Sequence, residues 1–128
     1  MYKLYFLLIS AIFFFGCVTV SPSQIDSRVV VENSLTKNLT IESVNTTIKN
    51  GSLFVQIKGI NNSSKDLRID YKVEWINKNG IITDSILSDW IPLKIRGNAF
   101  FNFNAIAPND SIDNFRIQVR NNERKGTI

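Results

Sequence analysis

Leu67-Arg68-Ile69-Asp70-Tyr71-Lys72-Val73-Glu74-Trp75 alternates apolar and charged side chains without interruption. Side chains along a strand point to opposite faces with a period of two, whereas a helix would spread this pattern around its whole circumference. The stretch therefore predicts a strand with Leu67, Ile69, Tyr71, Val73 and Trp75 in a core. Arg68, Asp70, Lys72 and Glu74 form a ladder of alternating charge on a solvated outer face.

Turn signals bracket this strand on both sides. Upstream, Asn61-Asn62-Ser63-Ser64 predicts a turn, preceded by a strand from Ser52 to Ile60 with Leu53, Val55 and Ile57 on one face. Asn50-Gly51 supplies the two left-handed positions of a type I′ hairpin and joins that strand to another over Leu39 to Lys49. Val29-Val30-Val31 is a short β-branched run before it. Downstream, Lys78-Asn79-Gly80 closes a hairpin, and Ile81 to Ile95 holds one or two short strands, placed at an edge by Pro92. Arg96-Gly97-Asn98 turns the chain into a strand over Ala99 to Ala107. After the loop Ala107-Pro108-Asn109-Asp110, Phe115, Ile117 and Val119 alternate with Arg116, Gln118 and Arg120 in a last strand.

About seven short strands with closely spaced turns and no sustained helical period predict an antiparallel, immunoglobulin-like β-sandwich. Tyr71, Trp75, Trp90, Phe54, Phe101, Phe103 and Phe115 are its expected large core residues, with Leu93 beside Trp90. If Phe101 and Phe103 face inward, Phe100 faces out, and an exposed Phe on a sheet is a candidate contact for a partner. Arg116 and Arg120 share the outer face of the last strand. With Arg124, and with Arg68 or Lys72 alongside, they form a second candidate contact, a basic stripe for an acidic partner or lipid headgroups.

The N-terminus reads differently. Met1-Tyr2-Lys3 precedes an apolar run from Leu4 to Phe15, and Gly16-Cys17 follows. That run is too short for the roughly 20 residues a membrane-spanning helix needs, and it suits a cleaved signal segment. Phe14-Phe15-Gly16-Cys17 resembles the lipobox of bacterial lipoproteins, with a small residue directly before the only cysteine, although Phe14 and Phe15 depart from the usual pattern. The expected plan is a signal peptide over 1–16, a lipidated Cys17 with a tether to residue 27, a sandwich over 28–121 and a polar tail over 122–128. A lipoprotein cysteine carries more than one acyl chain by this resemblance, and two or more chains make a durable anchor. Val18 in place of Asp points to the outer membrane. Ten flexible tether residues reach only about 18 Å, so the domain is expected close to the lipid surface.

Composition narrows the chemistry. The chain has 128 residues, fifteen basic and eleven acidic, with no histidine. Cleavage before Cys17 leaves 112 residues with a net charge of +3, enough for one domain and too mild for nucleic-acid binding. Without His, a Ser-His-Asp triad is excluded, and without His or a free Cys a transition-metal site lacks its usual ligands. Asn109-Asp110-Ser111-Ile112-Asp113 is the best local calcium candidate and reads better as a turn. The carboxylate pairs Asp70/Glu74 and Asp84/Asp89 read better as solvated strand and loop charges. No cofactor is expected, and the chain is read as a non-enzyme.

The segment Asp70-Tyr71-Lys72-Val73-Glu74-Trp75-Ile76-Asn77-Lys78-Asn79-Gly80 resembles the Y-x-x-x-W-x-x-x-x-G core of the YcfL-like family of small bacterial lipoproteins. Trp90, Leu93, Ala107-Pro108 and Phe115-Arg116-Ile117 agree in order, and Asn61 fits the family's v-x-l-x-N segment. The short Asn-rich loop from Asn61 to Lys65 departs from it. The resemblance implies a membrane-tethered, immunoglobulin-like domain facing the periplasm. Family members are often encoded beside lipoproteins that activate peptidoglycan synthases, which implies a binding or scaffolding role linked to wall synthesis. The alternative is a structural lipoprotein of a secretion apparatus.

Overall fold

The structure, a computed structural model, describes residues 26–83 and 89–123. Cys17, the expected signal peptide over 1–16, most of the expected tether, Asp84 and Arg124 lie outside the described residues. The strands are β1 (Val29–Val31), β2 (Leu39–Lys49), β3 (Ser52–Asn61), β4 (Leu67–Asn77), β5 (Ile82–Thr83), β6 (Ile91–Ile95), β7 (Phe100–Ile106) and β8 (Ile112–Asn121). They form two sheets. One has the order β1-β8-β4, with β5 and β6 sharing the far edge of β4; the other has the order β2-β3-β7. Among the described residues no helix is long and apolar enough to cross a membrane.

This is an immunoglobulin-like sandwich. β2-β3-β7 corresponds to strands A, B and E of that arrangement, and β4-β8 to strands C and F. β1 runs parallel to β8 on the edge that strand G usually takes, with Val30 opposite Gln118. No described strand takes the place of D beside β7.

The alternation in β4 places Ile69, Val73 and Trp75 in the core, where they meet Val55, Ile57 and Phe103 of the opposite sheet and Phe115, Ile117 and Val119 of β8. The Tyr71 and Phe103 rings stack across the two sheets at 4.0 Å. Asn50 and Gly51 both have positive φ, 49° and 79°, as the Asn-Gly hairpin requires.

Two expectations about facing and one about exposure are corrected. Phe54 is only half-buried on the outer face of β3, where it carries the Lys49 ammonium 3.8 Å from its ring centre. It sits between Leu53 and Val55, which take the inner face, so period two turns it outward. Trp90 precedes β6 on the outer side and packs under the Arg120 guanidinium at 3.9 Å instead of entering the core. Asp70 points outward, as its position demands, yet it is only 7% exposed. β4 is an interior strand flanked by β8 and β6, so neighbouring side chains cover it. The strand count is eight, because Ile81 to Ile95 contributes two pieces, and a 3₁₀ turn at Asn33–Leu35 buries Leu35.

Asn61 is fully buried and ties two loops together. Its Nδ2 donates to the carbonyls of Lys65 (2.8 Å) and Arg96 (3.0 Å), and its Oδ1 accepts the Ser63 N–H at 2.9 Å. Gly97 lies so close to this loop that a Cβ there would fall 2.3 Å from the Ser64 carbonyl oxygen. Asn61→Ala leaves the carbonyls of Lys65 and Arg96 and the Ser63 N–H without their partner. At about 1 kcal/mol for each net hydrogen bond, an expected loss of ~2–4 kcal/mol follows, measurable by urea unfolding.

Candidate docking surfaces

The sequence-derived contact residues fall on opposite faces of the sandwich. Arg116 and Arg120 point outward from β8, opposite Glu74 and Asp70 of β4 in the strand register. Arg116 forms an ion pair with Glu74, Nη2 to Oε2 at 2.5 Å, and Gln118 donates to the other oxygen of the same carboxylate at 3.2 Å. Arg120 pairs with Asp70 at 3.0 Å, and Asn122 Nδ2 donates to Asp70 Oδ1 at 2.7 Å. Both guanidinium groups thus have their charge matched by a nearly buried carboxylate, with Glu74 and Asp70 side chains 13% and 10% exposed. Cross-strand pairing makes this a latticework of balanced charge. Beside it, Arg68, Ile69, Pro92, Leu93, Lys94 and Asn122 line a hollow of about 390 Å³.

Phe100 lies on the other sheet. It heads β7, points outward from β2-β3-β7, and is 73% exposed. Its register partner is Ile60 of β3, and at the far end Ile106, 52% exposed, faces Phe54. Lys58/Asn102 and Gln56/Asn104 lie between these two apolar pairs. Glu42, Lys58, Gly59, Phe100, Phe101 and Asn102 line a hollow of about 490 Å³. Gly59 is required here: a Cβ on it would lie 2.5 Å from the tip of the Phe101 ring and 2.5 Å from the Thr40 carbonyl oxygen. The face offers apolar area with one amine and one carboxylate at its rim, a composition suited to a protein surface.

A third concavity opens between the sheets. Tyr71, Val73, Trp75, Ile91, Ala105 and Ile106 are among the residues around its roughly 220 Å³. The inward-facing residues of β6 lose cover along the strand, from Ile95 at 2% exposure to Ile91 at 41%. The Trp75 Nε1–H is buried without a hydrogen-bond acceptor among the described residues.

The calcium candidate folds as a turn, in which Asn109 Oδ1 accepts the Ser111 N–H at 3.0 Å. Among the described residues no three or more Cys, Asp or Glu side chains come together as metal ligands.

Three carboxylates sit below their ordinary range. Asp26 is lowered chiefly by the Arg28 side chain, Glu32 by the Asn121 backbone N–H and Asp66 by the Gly97 backbone N–H. Burial raises the Tyr71 phenol. A carboxyl lowered in the folded state contributes stability above its unfolded value, about 3.9 for Asp and 4.3 for Glu, and loses it as pH falls through the folded value. The expected thermal midpoint is therefore level between about pH 5 and 8, where no histidine titrates, and declines below about pH 4.5. Thermal melts followed by circular dichroism over that range check this.

The model of a family described as "Protein of unknown function (DUF1425)" matches residues 27–121. Campylobacter jejuni cj0090, a crystal structure, is 23% identical and superposes with a TM-score of 0.64, covering 75% of this chain and 99% of that one. The crystal structure of a DUF1425 family member from Shewanella sp. pv-4 is 26% identical with a TM-score of 0.59, covering 70% and 80%. No curated protein matches the chain.

Proposed function

The chain belongs to the DUF1425 family, and on that premise we propose that it is a lipid-anchored, non-catalytic docking protein of the cell envelope. In this reading Cys17 carries the acyl chains and holds the sandwich beside the outer membrane, facing the periplasm. The outer face of β2-β3-β7 receives a protein partner. The observation that carries the docking half is Phe100, a large apolar side chain 73% exposed beside a hollow on an ordered sheet. Exposing it to water has no structural benefit, and covering it removes apolar area at about 25 cal/mol per Å². The likeness of the Tyr71-to-Gly80 segment to YcfL-like lipoproteins supports the address and suggests a partner in wall synthesis. Arg116 and Arg120 are assigned a supporting role, because Glu74 and Asp70 already balance their charge.

The test is a comparison of envelope proteins co-purified with the wild type, Phe100→Asp and Arg116→Ser after mild solubilisation. The expected result is a specific partner that Phe100→Asp loses at least tenfold and Arg116→Ser retains, with both variants folded by circular dichroism. The same set of proteins from all three chains would refute the docking face. A partner drawn from a secretion complex would keep the face and replace the wall-synthesis assignment.

A further inference from the structure

We infer that two copies of this chain pair through the free edge of β7, antiparallel about a two-fold axis at Phe103. The inference goes beyond the docking reading, since it concerns the edge of the sheet and a second copy.

The edges of the sandwich are not equally guarded. Natural sheets protect their edges with charge, proline, bulges or brevity. β2 carries Glu42, Lys49 and a register shift between Ile41 and Ser43, β6 carries Pro92 and Lys94, and β1 and β5 are short. β7, Phe-Phe-Asn-Phe-Asn-Ala-Ile, has no charge, proline or glycine and keeps unbroken register with β3. Its other edge has no strand among the described residues.

The backbone fixes which groups that edge offers. The Asn61 N–H donates to the Ala99 carbonyl at 2.9 Å and the Ala107 N–H to the Leu53 carbonyl at 2.8 Å, so Ala99 and Ala107 face β3. Residues alternate in an antiparallel ladder, so Phe101, Phe103 and Ala105 also direct their backbone groups to β3. Phe100, Asn102, Asn104 and Ile106 direct theirs outward.

The pattern of apolar and amide side chains along β7 reads the same in both directions. With Phe103 on the axis, Phe100 faces Ile106 of the partner subunit and Asn102 faces Asn104 of the partner subunit. Phe101 then faces Ala105 of the partner subunit, and the two Phe103 rings meet. This register pairs every outward N–H and C=O, matches apolar with apolar and amide with amide, and opposes no like charges. Such a contact is isologous and closes on itself. It also fills the strand D position, which no described strand takes, beneath the under-covered Ile91 and alongside the cleft at Trp75. On the outer face it joins Ile60, Phe100, the partner's Ile106 and the partner's Phe54 into one apolar row.

The experiment uses the full chain in cell envelopes, with Asn102→Cys and Asn104→Cys placed on separately tagged copies; both side chains are exposed. The proposed register sets these positions opposite each other at about 5.5 Å between Cα atoms, inside disulfide range. Each position lies diagonally from its own copy, about 7–8 Å away and at or beyond that range. Oxidation is expected to link the two tags when the variants are co-expressed, at least tenfold above either variant alone and above the wild type with only Cys17. No link in the mixture, or equal links in single-variant cells, would overturn the inference. As a second reading, the detergent-solubilised wild type is expected to sediment as a dimer. The double variant Asn102→Lys/Asn104→Lys, which opposes like charges, is expected to sediment as a folded monomer. A monomeric wild type, or a double variant that remains dimeric, would also overturn it.

Discussion

Replacing Trp75 by Ala is expected to lower unfolding free energy by about 3–5 kcal/mol. Trp75 is 1% exposed and is the largest of the fully buried side chains. It stands opposite Phe115 of β8 and Thr83 of β5, and Thr83 Oγ1 donates to its carbonyl at 3.2 Å. Removing the indole opens a void between the sheets that the neighbouring core side chains can fill only in part. For a domain near 100 residues each kcal/mol shifts the midpoint by roughly 4–8 °C, so the variant is expected to melt well over 10 °C lower. Trp75→Phe separates packing from polarity. It keeps most of the ring and removes an N–H that finds no acceptor among the described residues. Its cost is therefore expected to stay below about 1.5 kcal/mol. Equal losses in both variants would show that the single ring Phe retains does not supply the packing at this position.

Cys17→Ala is expected to move the protein almost entirely from the membrane fraction to the soluble fraction. Each buried CH₂ of an acyl chain contributes about 0.8 kcal/mol, so two chains hold a protein durably and their loss leaves little else to hold it. The described surface offers no substitute anchor of comparable strength, since Arg116 and Arg120 are balanced by acids. Fractionation with an intact-mass measurement of the wild type checks the same point twice. A mature chain that begins at Cys17 with added acyl mass is the expected companion result. A Cys17→Ala variant that still pellets with membranes would show that the N-terminal segment anchors the protein uncleaved.

Much of the fold was legible because strand periodicity is a local property. The alternation of β4, the Asn50-Gly51 hairpin and the Leu39-to-Lys49 strand all follow from neighbours in sequence, and the structure shows all three elements. The size and apolarity of Phe54 and Trp90 point to the core, but their phase along the chain sets them outside it. Phe54 is out of phase with Leu53 and Val55, and Trp90 lies on the outer side, where a guanidinium covers it. The burial of Asp70 was not legible, since it depends on β8 and β6 flanking β4 at Arg120 and Pro92. For the same reason the sequence suggested an open basic stripe where the register sets each arginine against an acid. Phe100 could be read as outward-facing from the phase of Phe101 and Phe103 alone. Asn61 stood out only as a turn opener; its closure over two loops requires contacts some 34–35 residues apart.

The most direct test of the docking account is site-specific photo-crosslinking in living cells. A crosslinking residue is placed at Phe100 on one face of the full-length protein and at Arg116 on the other. The account predicts that position 100 captures a reproducible envelope protein besides the chain itself, that position 116 does not, and that the capture is lost with Cys17→Ala. Position 100 yielding only the chain itself, or the same proteins as position 116, would contradict it.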